Sequence, residues 1–207
     1  MIRITPVRYG ETDLPESWIF RGGDPERRRP ISLTVFLIET SDRKILVDAG
    51  CDTMPGFDLT RHKSPPLALA EQTGLSADEI TDVILTHAHH DHIEALRHFK
   101  NATVWIQTLE YEHGKKHIPA EVKVNRFEDE CTVAEGVRVV RWSGHCPGSS
   151  VVEIGETVIV GDECYSKECI LRQIPTGISK NPAQSEKFIQ YYRDGWEILT
   201  CHDPEGV

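Results

Sequence analysis

The sequence predicts an α/β fold in which short strands and short helices follow one another along the chain. Runs of β-branched and apolar residues, such as residues 157–160, have the composition of strands. Helical spacing of apolar residues is seen at Ile93, Leu96 and Phe99, directly after such a run. Several predicted strands are followed by a histidine or an aspartate, and strand ends are where active sites collect.

The predicted strands are taken in chain order from runs that are rich in Val, Ile, Thr and aromatic residues. We expect strands at residues 2–7, 32–39, 44–47, 83–86, 103–106, 137–142, 151–154, 157–160 and 197–200.

The helices are predicted at residues 67–73, 77–80, 93–99, 109–113 and 183–193. Ser76 with Glu79 three residues later is a capping-box start, and Pro182 suits the first position of the last helix. Residues 11–30, with Trp18 and Phe20, are expected to be a loop. Together with residues 54–57 they form either a rim that contacts substrate or an ordinary surface loop. Without an internal repeat or a linker, residues 1–207 are expected to form a single domain.

The most informative segment is the turn that follows the predicted strand at residues 83–86. It holds four candidate metal ligands: His87, His89, Asp91 and His92. Two residues apart in an extended segment, His87 and His89 point to the same side and can bind one ion. Asp91 and His92 follow as the chain bends and can face a second ion. Imidazole and carboxylate suit Zn²⁺, and a hydrolytic site keeps one position open for water. A solvated polar loop is the alternative.

Three later sites can complete the two metal shells. His145 lies in a turn made tight by glycines and a proline, after the predicted strand at residues 137–142. Asp162 ends an apolar run, and one carboxylate can place an oxygen on each of two cations about 3.5–4 Å apart. His202 follows the last predicted strand. Each residue alone is more typical of a structural role, but together they supply what the first turn lacks.

The order of these residues resembles that of the metallo-β-lactamase superfamily of binuclear metal hydrolases. The family's H-x-H-x-D-H signature, its glycine-histidine turn, its bridging aspartate and its last histidine are matched by His87, His89, Asp91, His92, His145, Asp162 and His202. The resemblance extends from residues 45–50 to the end of the chain. It implies a four-layer αββα sandwich.

The same resemblance implies two divalent metal ions, expected to be zinc. The ligands divide between them as follows: His87, His89 and His145 for the first metal, Asp91, His92 and His202 for the second, and Asp162 for both.

Within that superfamily the chain looks most similar to the N-acyl-homoserine-lactone lactonases. Residues 161–168 resemble the lactonase stretch around an active-site tyrosine, which Tyr165 matches, and residues 108–112 are also similar. The resemblance implies a hydrolase that opens a lactone or a small ester, and so a small molecule as its partner.

The predicted chemistry needs no protein nucleophile. Two dications lower the pKa of a shared water toward neutrality, and the resulting hydroxide attacks the lactone carbonyl. Tyr165 donates a hydrogen bond to the developing oxyanion, unless it only caps the pocket wall. The second metal, with Asp91 on it, takes the leaving alkoxide, so that Asp91 and Tyr165 are the candidate catalytic residues. Asp48 could orient a ligand histidine through its far nitrogen.

Glu94 departs from the family pattern, which commonly has small residues after the last histidine of the signature. It is either a first-turn helix residue favoured by the helix dipole or a carboxylate that faces the cleft and disfavours anionic substrates.

Composition limits the classes of partner. A net charge of −10 and a pI near 5.5 argue against nucleic acid as a partner, because proteins that bind nucleic acids usually present a basic face. The sequence has neither the roughly 18 apolar residues that a transmembrane helix needs nor a signal peptide's apolar core. We therefore expect a cytoplasmic protein without a membrane partner. A homodimer remains open.

The cysteines show no C-x-x-C spacing and are expected to be free thiols: Cys51, Cys131, Cys146, Cys164, Cys169 and Cys201. Those beside the predicted ligands either pack as small hydrophobic residues or are oxidation-sensitive.

Four other functions remain open. A thioester hydrolase of the glyoxalase II type shares the ligand set but carries extra substrate-binding sequence. An iron-dependent oxidoreductase is another, although its di-iron branch has a carboxylate where His89 stands. A β-lactamase proper is disfavoured by the missing secretory signal. The fourth alternative is a protein without enzymatic activity, in which the metals only stabilise the fold. It does not explain why the metals would have open coordination positions.

Overall fold

The computed structural model describes residues 2–204 and contains two β-sheets with helices packed on their outer faces. The strands, in chain order, are β1 (Arg3–Pro15), β2 (Arg28–Glu39), β3 (Lys44–Val47), β4 (Asp82–Leu85), β5 (Thr103–Gln107), β6 (Val124–Phe127), β7 (Glu130–Ala134), β8 (Val137–Arg141), β9 (Ser150–Ile154), β10 (Thr157–Ile159) and β11 (Glu197–Leu199). The α-helices are α1 (Glu16–Ile19), α2 (Pro65–Thr73), α3 (His90–Ile93), α4 (Thr108–Gly114), α5 (Lys167–Arg172) and α6 (Pro182–Tyr192).

The first sheet has the strand order β1-β2-β3-β4-β5-β6, antiparallel from β1 to β3 and parallel from β3 to β6. The second sheet has the order β11-β10-β9-β8-β7 and is antiparallel except for the β10–β11 pair. Strands such as β3 and β4 are buried on both faces, which explains their continuous apolar sequence.

The inner faces of the two sheets meet in one apolar cluster, where Ile45 and Ile84 of the first sheet join Val139 and Val152 of the second. A second cluster covers the outer faces and includes residues of α2 and α6, such as Leu69 and Phe188. The layers therefore run helix, sheet, sheet, helix, and the four-layer αββα sandwich is confirmed.

The prediction of a loop at residues 11–30 is wrong for more than half of these residues. Strand β1 continues to Pro15 and pairs with β2, which starts at Arg28, while α1 occupies Glu16–Ile19. Pairing with a long partner strand satisfies the backbone of a segment whose Gly, Glu and Asp residues have low strand propensity. A register shift between Arg8 and Gly10 accommodates the glycine.

Other elements differ from the prediction in smaller ways. Strands β6 and β7 and helix α5 were not predicted, and each is short. The expected helix at residues 77–80 is one 3₁₀ turn, Ala77–Glu79, although its capping box is formed. The expected helix at 93–99 is divided into α3 and the 3₁₀ segment Glu94–His98. Pro182 does lie at the start of α6.

Candidate metal centre

The candidate site lies where strands of both sheets end. The turn after β4 carries His87 to His92, and the turn between β8 and β9 carries His145. Asp162 follows β10 and His202 follows β11. Because these strand ends meet at one edge of the sandwich, residues far apart in sequence are brought together.

The first ligand group contains His87, His89, His145 and Asp162, whose candidate ligand atoms all lie within 4.8 Å of one another. His145 Nε2 is 2.9 Å from His89 Nδ1. His87 Nε2 and His145 Nε2 each lie 3.5 Å from Asp162 Oδ2. Three imidazoles thus surround one carboxylate oxygen.

The second group contains Asp91, His92 and His202, again with ligand atoms within 4.8 Å of one another. His92 Nε2 lies 3.1 Å and His202 Nε2 3.0 Å from Asp162 Oδ1. Asp91 Oδ2 is 3.6 Å from the same atom of His202. Asp162 therefore turns one oxygen toward each group.

The donor atoms of both groups fit metal ions better than hydrogen bonds. Within residues 2–204, Nε2 of His87, His92 and His202 and Oδ1 of Asp162 are buried without a hydrogen-bond partner. Buried polar atoms are almost always paired, so a group of unpaired atoms that face one another calls for a ligand between them. Imidazole nitrogen with carboxylate oxygen is the donor set that zinc accepts.

Burial keeps two of the imidazoles neutral. It lowers the pKa of His87 to about 3 and holds the pKa of His145 well below its ordinary value. A neutral imidazole has a free lone pair, which is the form that binds a metal.

Burial also opposes charge on His92 and His202, but the Asp162 carboxylate outweighs it. The pKa of His92 is raised well above its ordinary value with the further help of Asp48, and the pKa of His202 is raised in the same direction. Asp162 itself loses solvation on burial, yet these histidines hold its pKa well below the usual range. Asp162 therefore interacts electrostatically with the histidines of both groups.

Asp48 contacts His92 on the side of the ring that faces away from Asp162. Its Oδ2 lies 2.8 Å from His92 Nδ1, and its Oδ1 accepts a hydrogen bond of 2.8 Å from Thr86 N. Asp48 therefore contacts the His92 nitrogen that faces away from Asp162, which is the contact expected of a residue that orients this histidine. Asp48 has a φ of 61°, and a non-glycine residue in this region costs about 1–3 kcal/mol and is typical of functional sites.

Glu163 is a site residue that the sequence analysis missed. It is buried, and its Oε1 accepts hydrogen bonds from Gly144 N (2.9 Å), His145 N (3.1 Å) and the Ser149 hydroxyl. Burial raises its pKa to about 7. A glutamate that accepts hydrogen bonds from backbone N–H groups cannot be distinguished in the sequence from a glutamate on the surface, so Glu163 could not be predicted.

Tyr165 lies beside the second ligand group. Its ring stacks on that of His202 with centroids 4.9 Å apart and an interplanar angle of 19°. Burial and the neighbouring Asp162 carboxylate raise the pKa of Tyr165 well above its ordinary value. The hydroxyl is therefore a hydrogen-bond donor at neutral pH.

Glu94 does not extend into the ligand groups. Its Oε2 accepts a hydrogen bond of 2.7 Å from Asp52 N, and its other oxygen pairs with Arg97. Of the two hypotheses for Glu94, the structure favours a bracing residue at a helix start. His90, inside the histidine motif, also points elsewhere, with Nε2 2.8 Å from the Thr53 carbonyl oxygen.

A pocket of about 350 Å³ adjoins the second ligand group. Tyr165 and His202 are part of its lining, together with the apolar residues Ile19, Phe20 and Leu171 and the charged residues Arg29, Lys167, Glu168 and Asp203. Part of residues 11–30, which were expected to be either a substrate-contacting rim or a surface loop, thus lines this pocket. Nearby, Trp18 packs edge-to-face on Phe57, with ring centroids 5.9 Å apart.

The six cysteines all lie within residues 2–204 and all are free. Burial raises the pKa of Cys146 and that of Cys201, both next to predicted ligands, so they are protonated thiols that pack as small side chains. In the same part of the chain, helices fall short of the length and apolar character that crossing a bilayer requires.

A family model described as the metallo-beta-lactamase superfamily matches residues 28–191. A probable metallo-hydrolase of Methanocaldococcus jannaschii is 31% identical over 139 residues, which are 66% of this chain and 62% of that protein. The chain therefore spans less than two thirds of that relative's length. An N-acyl homoserine lactonase of Bacillus thuringiensis is 24% identical over 196 residues, with 82% of this chain and 78% of the lactonase covered.

Two solved structures share the fold. An N-acyl homoserine lactone hydrolase with its product, N-hexanoyl-L-homoserine, bound at the catalytic metal centre superposes with a TM-score of 0.84 at 20% identity, covering 98% of this chain and 93% of that one. AidC, a dizinc quorum-quenching lactonase, superposes with a TM-score of 0.75 at 19% identity, covering 98% and 88%.

Proposed function

Since the chain belongs to the metallo-β-lactamase superfamily, we propose that it is a hydrolase that holds two divalent metal ions and opens a lactone or small ester. The observation that carries this proposal is the convergence of two ligand groups on opposite oxygens of Asp162. Zinc is the metal that we propose for both sites, because it suits the imidazole and carboxylate donors.

The assignment of ligands follows the two groups. His87, His89 and His145 would hold the first ion, Asp91, His92 and His202 the second, and Asp162 both. When bound, a pair of such ions supplies an activated water and polarises a carbonyl oxygen.

Tyr165 is proposed to stabilise the transition state. Its protonated hydroxyl lies next to Asp162, and stacking on His202 fixes the ring. A donor held in place before the reaction stabilises charge as it develops on the carbonyl oxygen, without reorganisation.

Asp91 is proposed to act on the leaving group. Its side chain is 13% exposed, while that of Asp162 is 1% exposed, so Asp91 is the more accessible of the two carboxylates. Addition of water to the carbonyl carbon forms one C–O bond, and ring opening breaks the other. The proton released by the water then passes by way of an Asp91 oxygen to the leaving oxygen.

The pocket suggests the kind of substrate. The cavity of about 350 Å³ is lined by apolar Ile19, Phe20 and Leu171, which suit an acyl chain, and by charged residues such as Arg29 and Lys167, which suit polar parts of a substrate. Two of the similar proteins act on acylated homoserine lactones, as their names state. We propose a lactone with an apolar acyl substituent as substrate.

The proposal is tested by metal analysis together with a pH-stat screen of homoserine lactones of varied acyl length, aliphatic lactones, thioesters and cephalosporins. We expect two metal ions per chain and turnover of acylated lactones. Thioester cleavage without lactone turnover would replace the lactonase proposal with a thioesterase, and a chain that binds no metal would end both.

The histidine motif provides a matched pair of variants for this test. His89→Ala removes a proposed ligand, whereas His90→Ala removes a neighbouring ring that contacts Thr53 O. We expect the first variant to lose one metal ion and lactone turnover, and the second to keep both. Equal behaviour of the two variants would contradict the ligand assignment.

A further inference from the structure

Glu110 is a buried carboxylate outside the ligand groups, placed on α4 directly after β5 and 2% exposed. Its Oε2 accepts a hydrogen bond of 3.0 Å from Ala88 N, and Ala88 lies between His87 and His89. Its Oε1 accepts hydrogen bonds from Gly148 N at 2.9 Å and from Cys146 Sγ at 3.2 Å. One side chain thus joins the turn after β4 to the turn that carries His145.

The two turns belong to different sheets. β4 is in the first sheet, whereas the turn with His145 connects β8 and β9 of the second. The three imidazoles of the first ligand group therefore come from two layers, and their relative position depends on what holds the layers in register at this edge. A backbone hydrogen bond of 2.9 Å from Ser150 N to Thr86 O joins the two sheets here, and Glu110 adds a side-chain connection through N–H groups close to the ligands.

Close packing around Glu110 leaves the carboxylate little freedom. A Cβ on Gly148 would overlap Gln107 Oε1 and lie 2.8 Å from Glu110 Cγ, and a Cβ on Gly114 would lie 2.9 Å from Ala88 Cβ. The start of α4 is fixed in addition by Leu109 N, which donates to Gln107 Oε1. Glycine at both positions allows the helix and the turns to approach this closely.

Glu110 accepts its hydrogen bonds from uncharged groups. Among residues 2–204, these donors are the thiol of Cys146 and the backbone N–H groups of Ala88 and Gly148. Buried carboxylates that accept several N–H groups form strong, short-range connections. Such a connection fixes geometry, since each donor must meet its own oxygen.

We propose that Glu110 is a positioning residue that sets the spacing of the first metal site by joining the turn of His87 and His89 to the turn of His145. This inference rests on the proposed function, because it assumes that those histidines bind a metal ion. It requires that loss of Glu110 weakens the first site and leaves the second site, formed by Asp91, His92 and His202, unchanged.

The test is metal affinity at each site separately. His202→Ala leaves the first site as the only complete ligand group, and His89→Ala leaves the second. Each background is stripped of metal and titrated with Co²⁺, followed by visible absorption, with and without Glu110→Gln. Glutamine has the size of glutamate but offers one accepting oxygen, and its NH₂ group would face an N–H donor.

We expect Glu110→Gln to weaken Co²⁺ binding by about 10- to 100-fold in the His202→Ala background, which is the range for loss of a group that orients a metal ligand. In the His89→Ala background the affinity should not change. Glu112→Gln is the matched control, because Glu112 is on the same helix, is exposed and pairs with Lys115. It should leave both affinities unchanged.

Other outcomes overturn the inference. Equal loss in both backgrounds would show that Glu110 only stabilises the fold, and no loss in either would show that the two turns keep their spacing without it. Thermal unfolding of each stripped variant separates a folding defect from a binding defect. Glu110→Asp is a second variant for the same Co²⁺ titration, because aspartate is too short to reach both turns and should also weaken the first site. If the wild-type chain binds two ions but hydrolyses no substrate, the proposed function fails while this inference stands.

Discussion

Tyr165 connects the candidate metal centre with the pocket, because its ring contacts His202 on one side and lines the cavity on the other. Its hydroxyl has a raised pKa, caused by burial and by Asp162, and so remains protonated at the pH at which hydrolases work. A protonated donor that is held by stacking is suited to stabilising negative charge on a substrate oxygen.

Replacing Tyr165 with phenylalanine removes the donor and keeps the stacking on His202. We expect kcat to fall by about 100-fold, which is the lower end of the loss seen when one oxyanion donor is removed, with a smaller change in KM. Steady-state kinetics on the best lactone measures both, and metal analysis should still find two ions. An unchanged kcat would restrict Tyr165 to a wall of the pocket.

Single residues differ in how well the sequence reveals them. The seven proposed ligands could be selected because each follows an apolar run, and the structure does bring them together. Glu110 and Glu163 could not be selected, although both are buried and both hold ligand turns. Their partners are backbone N–H groups, which leave no trace in a residue pattern.

Among the elements, the turn between β8 and β9 is packed closely against its neighbours. A Cβ on Gly148 would overlap side chains of β5 and α4, at Gln107 and Glu110. The turn and the helix therefore cannot separate without loss of the contacts that surround His145.

Gly148→Ala should destabilise the chain by about 1–3 kcal/mol, the usual cost of overpacking, and should weaken metal binding at the first site. Denaturant unfolding and Co²⁺ titration measure the two effects. Gly155→Ala is the control, because its φ of 60° is strained but its Cβ would meet open space, so it should lose stability without losing metal affinity. A Gly148→Ala variant as stable as wild type would show that the turn can move.

The 3₁₀ turn Ala77–Glu79 offers a prediction about pH. Backbone and side-chain hydrogen bonds from Ser76 and an ion pair with Lys44 lower the pKa of Glu79 from 4.5 to about 2. Because the folded pKa lies below the unfolded one, the stabilisation is present above pH 4.5 and is lost as the pH falls through about 2. Glutamine keeps the capping geometry but carries no charge.

Glu79→Gln should therefore lower Tm slightly at neutral pH, and the difference from wild type should shrink as the solution is acidified. Since the side chain is exposed, added salt should reduce the difference too. Thermal unfolding at several pH values and two salt concentrations tests both statements. A difference that does not depend on pH would mean that the charge of Glu79 contributes nothing.

Strands were predicted well where the sequence is a continuous apolar run. They were predicted poorly where a strand forms only because a neighbouring strand pairs with it. β3 and β4 are continuous apolar runs, and both were found. The far half of β1 contains Gly10 and Asp13, which alone suggest a loop, but β2 supplies partners along its whole length. β6, with the sequence Val-Asn-Arg-Phe, is too polar to stand out.

Across the whole molecule, the proposed ligands come from both sheets and meet at one edge of the sandwich. Bound metal ions would therefore connect the first sheet to the second. Ions that bind the folded chain alone shift the folding equilibrium by mass action.

Removing metal with a chelator should lower Tm markedly. At a free metal concentration of about 100 times Kd, one site contributes about 2.7 kcal/mol to the free energy of unfolding. Thermal unfolding with and without chelator gives the shift, which should persist in His90→Ala and shrink in His89→Ala. The same Tm under both conditions would argue against resident metal ions.

The order of the strands could not be derived from periodicity. Apolar runs identify strands but do not state which strands are neighbours, and the sandwich was expected from the resemblance of motifs. The two mixed sheets, with parallel pairing only from β3 to β6 and between β10 and β11, depend on contacts between residues far apart in the chain.

The apolar wall of the pocket and most of the proposed ligands come from separate stretches of sequence, although His202 belongs to both the pocket lining and a ligand group. Ile19 and Phe20 belong to the connection between β1 and β2, and Leu171 belongs to α5, whereas the proposed ligands follow β4, β8, β10 and β11. Natural selection can therefore exchange wall residues and alter which molecule is accepted while the reacting groups stay as they are.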